Sequence, residues 1–503
     1  MSFDVHQLDT FVLVGSAVTL LAILAVRLSS RAGLPSLLIY LLMGVALGES
    51  GAGIQFENAE VAHSLGFAAL AVILAEGGLT TSWREIRPVI RLGASLATVG
   101  VAASVAVMAV GAHYVLGLPW ELAVLLGAVT SPTDAAAVFS VLRVVPLPRR
   151  LTGALEAESG LNDAPTVVLV TLVSTGAVDD HGVLAMLGII GYELLIGAAL
   201  GLAAGFGGGW IMRRAALPSS GLYPLSVLTL AFLAYGAAAF LHGSGFAAVY
   251  VAALVLGNTE LPHRTATRSF AEGFAWLAQI GLFVMLGLLL SPGRISVDTV
   301  GLAFGAGLIL TLVARPLSVL LSAVLQPMPR RELAFISWAG LRGAVPIVLT
   351  TIPLAEGVDG ARRLFDLVFV MVVIYTLLTG PTLPRVARVL KVTRRSEPRG
   401  LEVEAAPLER IAADLLQVTI SPVSKMHGVE VGELRLPRGA SVSMVIREGV
   451  PLVPERRTVL RHGDDLLVVT PRKQREQTEE RLRQVSQHGR LALWLGDKPQ
   501  RRT

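Results

Sequence analysis

The sequence of 503 residues contains no cysteine. Disulfides and thiolate metal sites are therefore excluded, and we expect no transition metal. A GxxxxGK motif followed by Ser or Thr is also missing, and no glycine-rich stretch completes a dinucleotide-binding loop. We therefore expect neither ATP-driven transport nor a nucleotide cofactor.

Charged residues are scarce as well. They make up 16% of the chain, against 53% hydrophobic residues, whereas a soluble protein carries roughly 25% charged residues. The deficit lies in residues 1–392, while residues 401–490 have a soluble composition. We expect an all-α polytopic membrane domain over 1–392, a linker over 393–400, a small cytoplasmic α+β domain over 401–490 and a tail over 491–503.

The apolar segments predict about thirteen transmembrane helices. Their expected limits are 10–27, 34–49, 64–80, 88–113, 119–143, 151–177, 184–212, 222–241, 244–258, 270–291, 299–326, 332–355 and 363–384.

Basic residues cluster in the loops that follow odd-numbered spans, although the sequence pI of about 9.7 could suggest a nucleic-acid partner. These residues are Arg27, Arg31, Arg84, Arg87, Arg91, Arg143, Arg149, Arg150, Arg213, Arg214, His263, Arg264, Arg268, Arg330 and Arg331. We expect the protein in a bacterial inner membrane, where the positive-inside rule places the N-terminus outside the cell and the C-terminus in the cytoplasm. Because these basic residues set the topology, we expect no nucleic-acid partner.

Two spans are interrupted. Pro132 breaks span five, and Gly340 to Pro346 breaks span twelve, because proline removes a helix hydrogen bond. If spans one to six repeat as eight to thirteen, the two breaks correspond and the repeats are inverted. Breaks at matching places in two halves predict a binding site near the membrane midplane.

The most polar stretch inside a span is Glu158-Ser-Gly-Leu-Asn-Asp163. Helical spacing puts Ser159 one turn from Asp163, and Pro165 leaves the Leu161 carbonyl without its donor. A hard monovalent cation prefers such oxygens. Asp163 can hold one proton or one cation, and we expect this competition to couple the two fluxes.

Three further residues are candidates near the cation. Asp134 either ligates the ion or compensates a helix dipole at the break, and Thr133 offers a hydroxyl and a carbonyl. Glu76 is either a wall of the cation cavity or an interfacial side chain that reaches toward water. Glu158 and Arg342 both lie in spans and need partners, so we expect them to form an ion pair across the two repeats.

At these positions the chain resembles the monovalent cation:proton antiporter superfamily, and most of all its electroneutral sodium/proton exchanger branch. The strings that carry the resemblance are 76–79, 131–134, 158–163, 243–251 and 340–345. The resemblance implies a homodimer and an elevator-like motion of a core domain against a dimerisation domain. It also implies Asp163 as the proton and cation carrier, a stabilising Glu158–Arg342 pair, and a set of residues near the ion: Asn162, Thr133, Ser159 and Glu76.

Asparagine at 162, where a second aspartate would add a titratable group, favours electroneutral one-for-one exchange. The segments 429–440, 445–454 and 462–469 resemble the C-terminal subdomain of the potassium-transport regulatory family. That resemblance implies regulation by a small ligand, and it tilts the expected cation toward K⁺ over Na⁺.

Two other functions are open at this point. One is a regulated cation channel, although a Thr-Val-Gly-Tyr-Gly filter is missing and a carboxylate trap suits stoichiometric exchange better. The other is a sensor that has lost transport.

Overall fold

The computed structural model describes residues 5–32, 36–49, 51–56, 58–142, 145, 147–393, 401–408 and 413–491. The chain divides into two compact units, Met1–Thr393 and Arg394–Thr503. The predicted linker beyond residue 393, the predicted tail beyond residue 491 and Arg143 of loop five lie outside the described residues.

The first unit is helical. Its first half contains α1 (Val5–Ala32), α2 (Ser36–Leu47), α3 (Ala59–Thr80), α4 (Trp83–Ile86), α5 (Ile90–Ser95), α6 (Val101–Tyr114), α7 (Trp120–Thr130), α8 (Ala135–Leu142), α9 (Arg149–Ser174) and α10 (Ala177–Arg214). Its second half contains α11 (Leu222–Phe240), α12 (Gly245–Asn258), α13 (Arg264–Leu289), α14 (Val297–Ile309), α15 (Arg315–Ser322), α16 (Arg330–Trp338), α17 (Val345–Leu349), α18 (Thr351–Ala355), α19 (Ala361–Thr379) and α20 (Leu383–Val389).

Within the described ranges, seven helical stretches are long and apolar enough to cross a membrane, by length and composition. Several shorter apolar helices accompany them, including α2, α7 and α12. The helix α9 meets neither description, because the polar residues of the candidate site lower its hydropathy. The predicted membrane domain is confirmed, and the count of thirteen spans stays a prediction.

Both predicted breaks are present. The first separates α7 from α8, and the second separates α16 from α17. The two non-helical segments touch, since the backbone N–H of Asp134 donates to the carbonyl oxygen of Leu341 at 3.0 Å. The breaks are therefore adjacent in space, as a shared site requires.

Two π-helical turns occur at matching places. One covers Leu96–Gly100 before α6, and the other covers Leu310–Ala314 before α15. They fall in spans four and eleven, seven spans apart, which is the offset of the predicted repeat. A π-helical turn shifts the helix face that follows it, and such turns are frequent at functional sites.

The helices form two groups, which are joined where α10 of the first group packs on α9 of the second. In one group α3, α10, α11 and α12 pack together, and α13 packs on α2 and α3. In the other group α5 and α7 pack on α9, α6 packs on α7, and α14 packs on α19.

The second unit is an α+β domain, as predicted. Its strands are β1 (Leu401–Leu408), β2 (Ala413–Ile420), β3 (Ser441–Arg447), β4 (Val450–Leu452) and β5 (Asp465–Pro471), followed by α21 (Arg475–His488). They form one antiparallel sheet in the order β1-β2-β5-β3-β4. Alternate residues of β5 are buried, Leu466 and Val468 among them, and they pack with Leu482 and Val485 of α21. The segment 429–440 forms a single helical turn over Val431–Leu434 and no strand of its own.

Candidate ion-binding site

A cavity of about 250 Å³ lies where the two helix groups meet. Its walls come from α3, α12 and α13 on one side, and from α9, α17 and the break after α7 on the other. The polar residues of its lining are Glu76, Thr80, Thr81, Thr133, Asp134, Glu156, Ser159, Asp163, Tyr250 and Gln279. None of the described residues that line it is Lys, Arg or His. A cavity with four carboxylates and no basic group favours cations.

The helix α9 presents two different faces. Glu156, Ser159, Gly160 and Asp163 line the cavity, and their spacing of three, four and seven residues places them on one side of the helix. Glu158 is buried away from the cavity. One face of α9 therefore lines the cavity, and Glu158 lies on another, buried face of the helix.

Asp163 is the most enclosed of the cavity carboxylates, with 5% of the residue exposed. Its Oδ1 atom has no hydrogen-bond partner among the described residues. A buried polar atom without a partner carries a desolvation cost of about 1–3 kcal/mol, and more when it is charged. A cation or a proton at this oxygen relieves that cost, so the geometry allows Asp163 to bind either.

Asn162 lies behind this face. Its Nδ2 donates to the Thr133 hydroxyl at 3.1 Å, and its backbone carbonyl accepts from the Thr166 hydroxyl at 2.6 Å. It is 1% exposed and is not among the lining residues. Its Oδ1 has no hydrogen-bond partner among the described residues, so the predicted role of Asn162 near the ion stays a prediction beside its contact with Thr133.

Asp134 has contacts that fit both of its predicted roles. Its Oδ1 accepts from the backbone N–H of Ala137 at 3.1 Å, so it caps the start of α8, where the helix dipole is positive. It also lines the cavity with Thr133 and Glu76. The cap contact favours dipole compensation as the role of Asp134. Glu76 lies in the cavity wall, which is one of the two positions predicted for it.

The predicted Glu158–Arg342 ion pair is wrong. Glu158 pairs with Arg315: Nη1 contacts Oε1, and Nη2 donates to Oε2 at 2.8 Å. Both residues are buried, at 2% and 5% exposed. The π-helical turn Leu310–Ala314 directly precedes Arg315, and this places the arginine on the face that meets α9. The sequence held one signal for this, a lone arginine before proline inside an apolar span.

Arg342 serves the two breaks instead. Its Nε donates to the carbonyl of Thr130 and its Nη1 to the carbonyl of Gly340, both at 2.7 Å. The Thr130 carbonyl is at the end of α7, and the Gly340 carbonyl is in the second break. Neither has a helical donor available. Arg342 therefore joins the two interrupted segments that its guanidinium lies between.

Five polar cavity residues were missed from the sequence: Thr80, Thr81, Glu156, Tyr250 and Gln279. Glu156 had a usable signal, because it precedes Asp163 by seven residues, two helical turns. Tyr250 and Gln279 come from α12 and α13, and only tertiary packing brings them to the site.

These features describe a multi-pass membrane protein with a carboxylate-lined cavity beside two adjacent helix breaks. Residues 16–389 match the family described as "Sodium/hydrogen exchanger, transmembrane", and residues 415–483 match the TrkA-C domain. The chain belongs to the sodium/hydrogen exchanger family, whose members are transporters and not enzymes.

Two relatives align over most of the chain. One is the K(+)/H(+) antiporter NhaP2 from Shewanella oneidensis, 35% identical over 98% of this chain and 87% of the relative. The other is the K(+)/H(+) antiporter NhaP from Alkalimonas amylolytica, 36% identical over 92% of this chain and 82% of the relative.

The Na(+)/H(+) antiporter ApNhaP from Aphanothece halophytica is 28% identical over 72% of each chain. The solved structure of the sodium proton antiporter MjNhaP1 from Methanocaldococcus jannaschii has a TM-score of 0.63 at 22% identity, over 76% of this chain and 99% of that chain. At that identity, the likeness supports the fold alone.

Proposed function

We propose that this protein exchanges one K⁺ for one H⁺ across a bacterial inner membrane, with Asp163 holding either ion in turn. The observation that carries the proposal is the unpartnered Asp163 oxygen in a cavity lined by carboxylates. K⁺ is favoured over Na⁺ because the relatives that align over most of the chain are named K(+)/H(+) antiporters.

Exchange is electroneutral in this proposal. Glu158 is neutralised by Arg315, and the neighbour of Asp163 is the uncharged Asn162. Of Glu158, Asn162 and Asp163, only Asp163 has a charge that is not already matched, and in this proposal each cycle moves one cation against one proton.

An elevator-like motion fits the position of the cavity. The site residues of α9 and of the break after α7 belong to one helix group, while α3, α12 and α13 belong to the other. Sliding of the first group against the second would carry Asp163 between the two sides of the membrane. We propose that the protein works as a homodimer, with the N-terminus outside, the C-terminus inside, and residues 401–490 binding a small regulatory ligand.

The test uses purified protein in proteoliposomes that contain a pH-sensitive dye. An imposed K⁺ gradient is expected to drive H⁺ movement in the opposite direction, and an imposed membrane potential at equal K⁺ is expected to drive none. A response to Na⁺ alone would overturn the K⁺ assignment. K⁺ flux without counterflow of H⁺ would indicate a channel and overturn the antiport.

A further inference from the structure

The cavity extends well beyond Asp163. Seven residues separate Glu156 from Asp163, which corresponds to about 10 Å along the helix axis. Glu156 lies seven residues after the start of α9 at Arg149, and the end of α3 at Thr80 and Thr81 lines the same part of the cavity. Glu156 is therefore closer than Asp163 to the loops that follow α3 and precede α9.

Glu156 has the surroundings of a cation ligand. Its charged neighbour among the described residues is another carboxylate, Glu85, which is outside the cavity lining. No described basic side chain lines the cavity to neutralise Glu156. Its position in an ion cavity without a basic partner separates it from Glu158, whose charge is matched by Arg315.

Tyr250 supplies an independent observation. It is 4% exposed, and the Thr81 side chain is the polar group that interacts with its hydroxyl, which makes no hydrogen bond of good geometry to any described residue. The hydroxyl lies against Gly160, where a Cβ atom would overlap the tyrosine ring. Gly160 is one turn from Glu156 on one side and one turn from Asp163 on the other. The hydroxyl therefore faces α9 between the two carboxylates.

We propose that Glu156 and Tyr250 hold a second, partly dehydrated monovalent cation on the route to Asp163. The carboxylate supplies the charge, and the tyrosine hydroxyl supplies a neutral oxygen that replaces hydration water. The Thr81 and Gln279 side chains, which line the same cavity, offer further oxygens. A cation bound there lies within two helical turns of Asp163. The local concentration of cations at Asp163 is therefore raised. This role rests on the proposed K⁺/H⁺ exchange.

The first arm of the test measures exchange in proteoliposomes as K⁺ is varied. Glu156→Gln is expected to raise the KM for K⁺ about fivefold or more and to leave the maximal rate within about twofold, the pattern of lost uniform binding. Tyr250→Phe is expected to act in the same direction with a smaller effect. Glu121→Gln and Tyr235→Phe are matched controls, since they make the same changes at residues outside the cavity lining, and they are expected to stay close to wild type.

The second arm does not depend on transport. The melting temperature of the purified full chain is measured in KCl against equal choline chloride, because a ligand of the folded state raises it. Asp163→Asn is expected to keep part of the K⁺-dependent rise, and Asp163→Asn with Glu156→Gln is expected to lose it. If Asp163→Asn alone removes the entire K⁺ response, or if Glu156→Gln leaves the KM unchanged, the second cation position is refuted. If K⁺ raises the melting temperature of the wild-type protein but the protein moves no H⁺, the proposed exchange is refuted. The two proposed cation positions would not be contradicted by that result.

Discussion

Removal of Arg315 is expected to destabilise the membrane domain strongly. Arg315→Ala leaves the Glu158 carboxylate buried without its counter-charge, since Glu158 is 2% exposed and both of its oxygens contact Arg315. Loss of one partner of a buried pair costs about 3–5 kcal/mol. The lost contact from Nη2 to the Ile336 carbonyl, 3.3 Å long, adds to this cost. The expected decrease in the free energy of unfolding is therefore at least about 3–5 kcal/mol.

The assay follows tryptophan fluorescence while SDS unfolds the protein in mixed micelles. Glu158→Gln combined with Arg315→Met is expected to recover much of the loss, because neither charge is then stranded. We expect a coupling free energy of about 2 kcal/mol or more between positions 158 and 315, and under about 1 kcal/mol between 158 and 342. Arg342→Ala still destabilises, because two carbonyl acceptors lose their donor at about 1–3 kcal/mol each. Stronger coupling of Glu158 to Arg342 than to Arg315 would refute the assigned pairing.

Three further predictions concern the cavity and the second unit. Gly160→Ala is expected to lower exchange at least tenfold, because a Cβ there overlaps Tyr250 and a misplacement of about 1 Å can cost 100-fold. The control is Gly236→Ala, where a Cβ meets nothing within 4 Å and the residue is outside the cavity lining. Equal activity of the two variants would contradict the contact. Burial acts to raise the pKa of Asp464, but hydrogen bonds from Arg447 and the Arg461 amide, with the charges of both arginines, hold that pKa below its usual value. The stability from Asp464 is therefore complete above the unfolded pKa of about 4 and is lost as pH falls through the lower folded value, so Asp464→Asn in the full chain should make the second unit more protease-sensitive at pH 7, and an unchanged digestion rate would contradict this. A chain that ends at residue 392 is expected to exchange ions with an altered pH or ligand response, and complete loss of flux from the correctly inserted protein would show that the second unit belongs to the transport machinery.

The two helix breaks and the position of Asp163 in a polar cavity were accessible from the sequence because their signals are local. Pro132 removes a backbone donor, the glycine-rich segment before Pro346 cannot continue a regular helix, and an aspartate in an apolar span needs a polar environment. The same local logic placed Thr133 and Ser159 near the site, and the structure has them in the cavity lining.

Partners that are distant in the chain were not accessible in this way. Arg315 is 157 positions from Glu158, and a π-helical turn decides which face it occupies. Local periodicity gives no information on that rotation, so the more obvious Arg342 was paired wrongly. The position of Tyr250 also depends on a contact that is distant in the chain. Its ring fits against α9 because Gly160 has no side chain there.

The central claim is that Asp163 is the group that exchanges a proton for a cation, and Asp163→Asn tests it most directly. Purified variant protein is reconstituted beside wild type, and K⁺-driven H⁺ movement is measured together with the melting temperature of each protein. The account predicts that the variant melts as a folded protein and moves no H⁺ above the level of empty liposomes. Wild-type-like flux from folded Asp163→Asn would show that another group carries the ions.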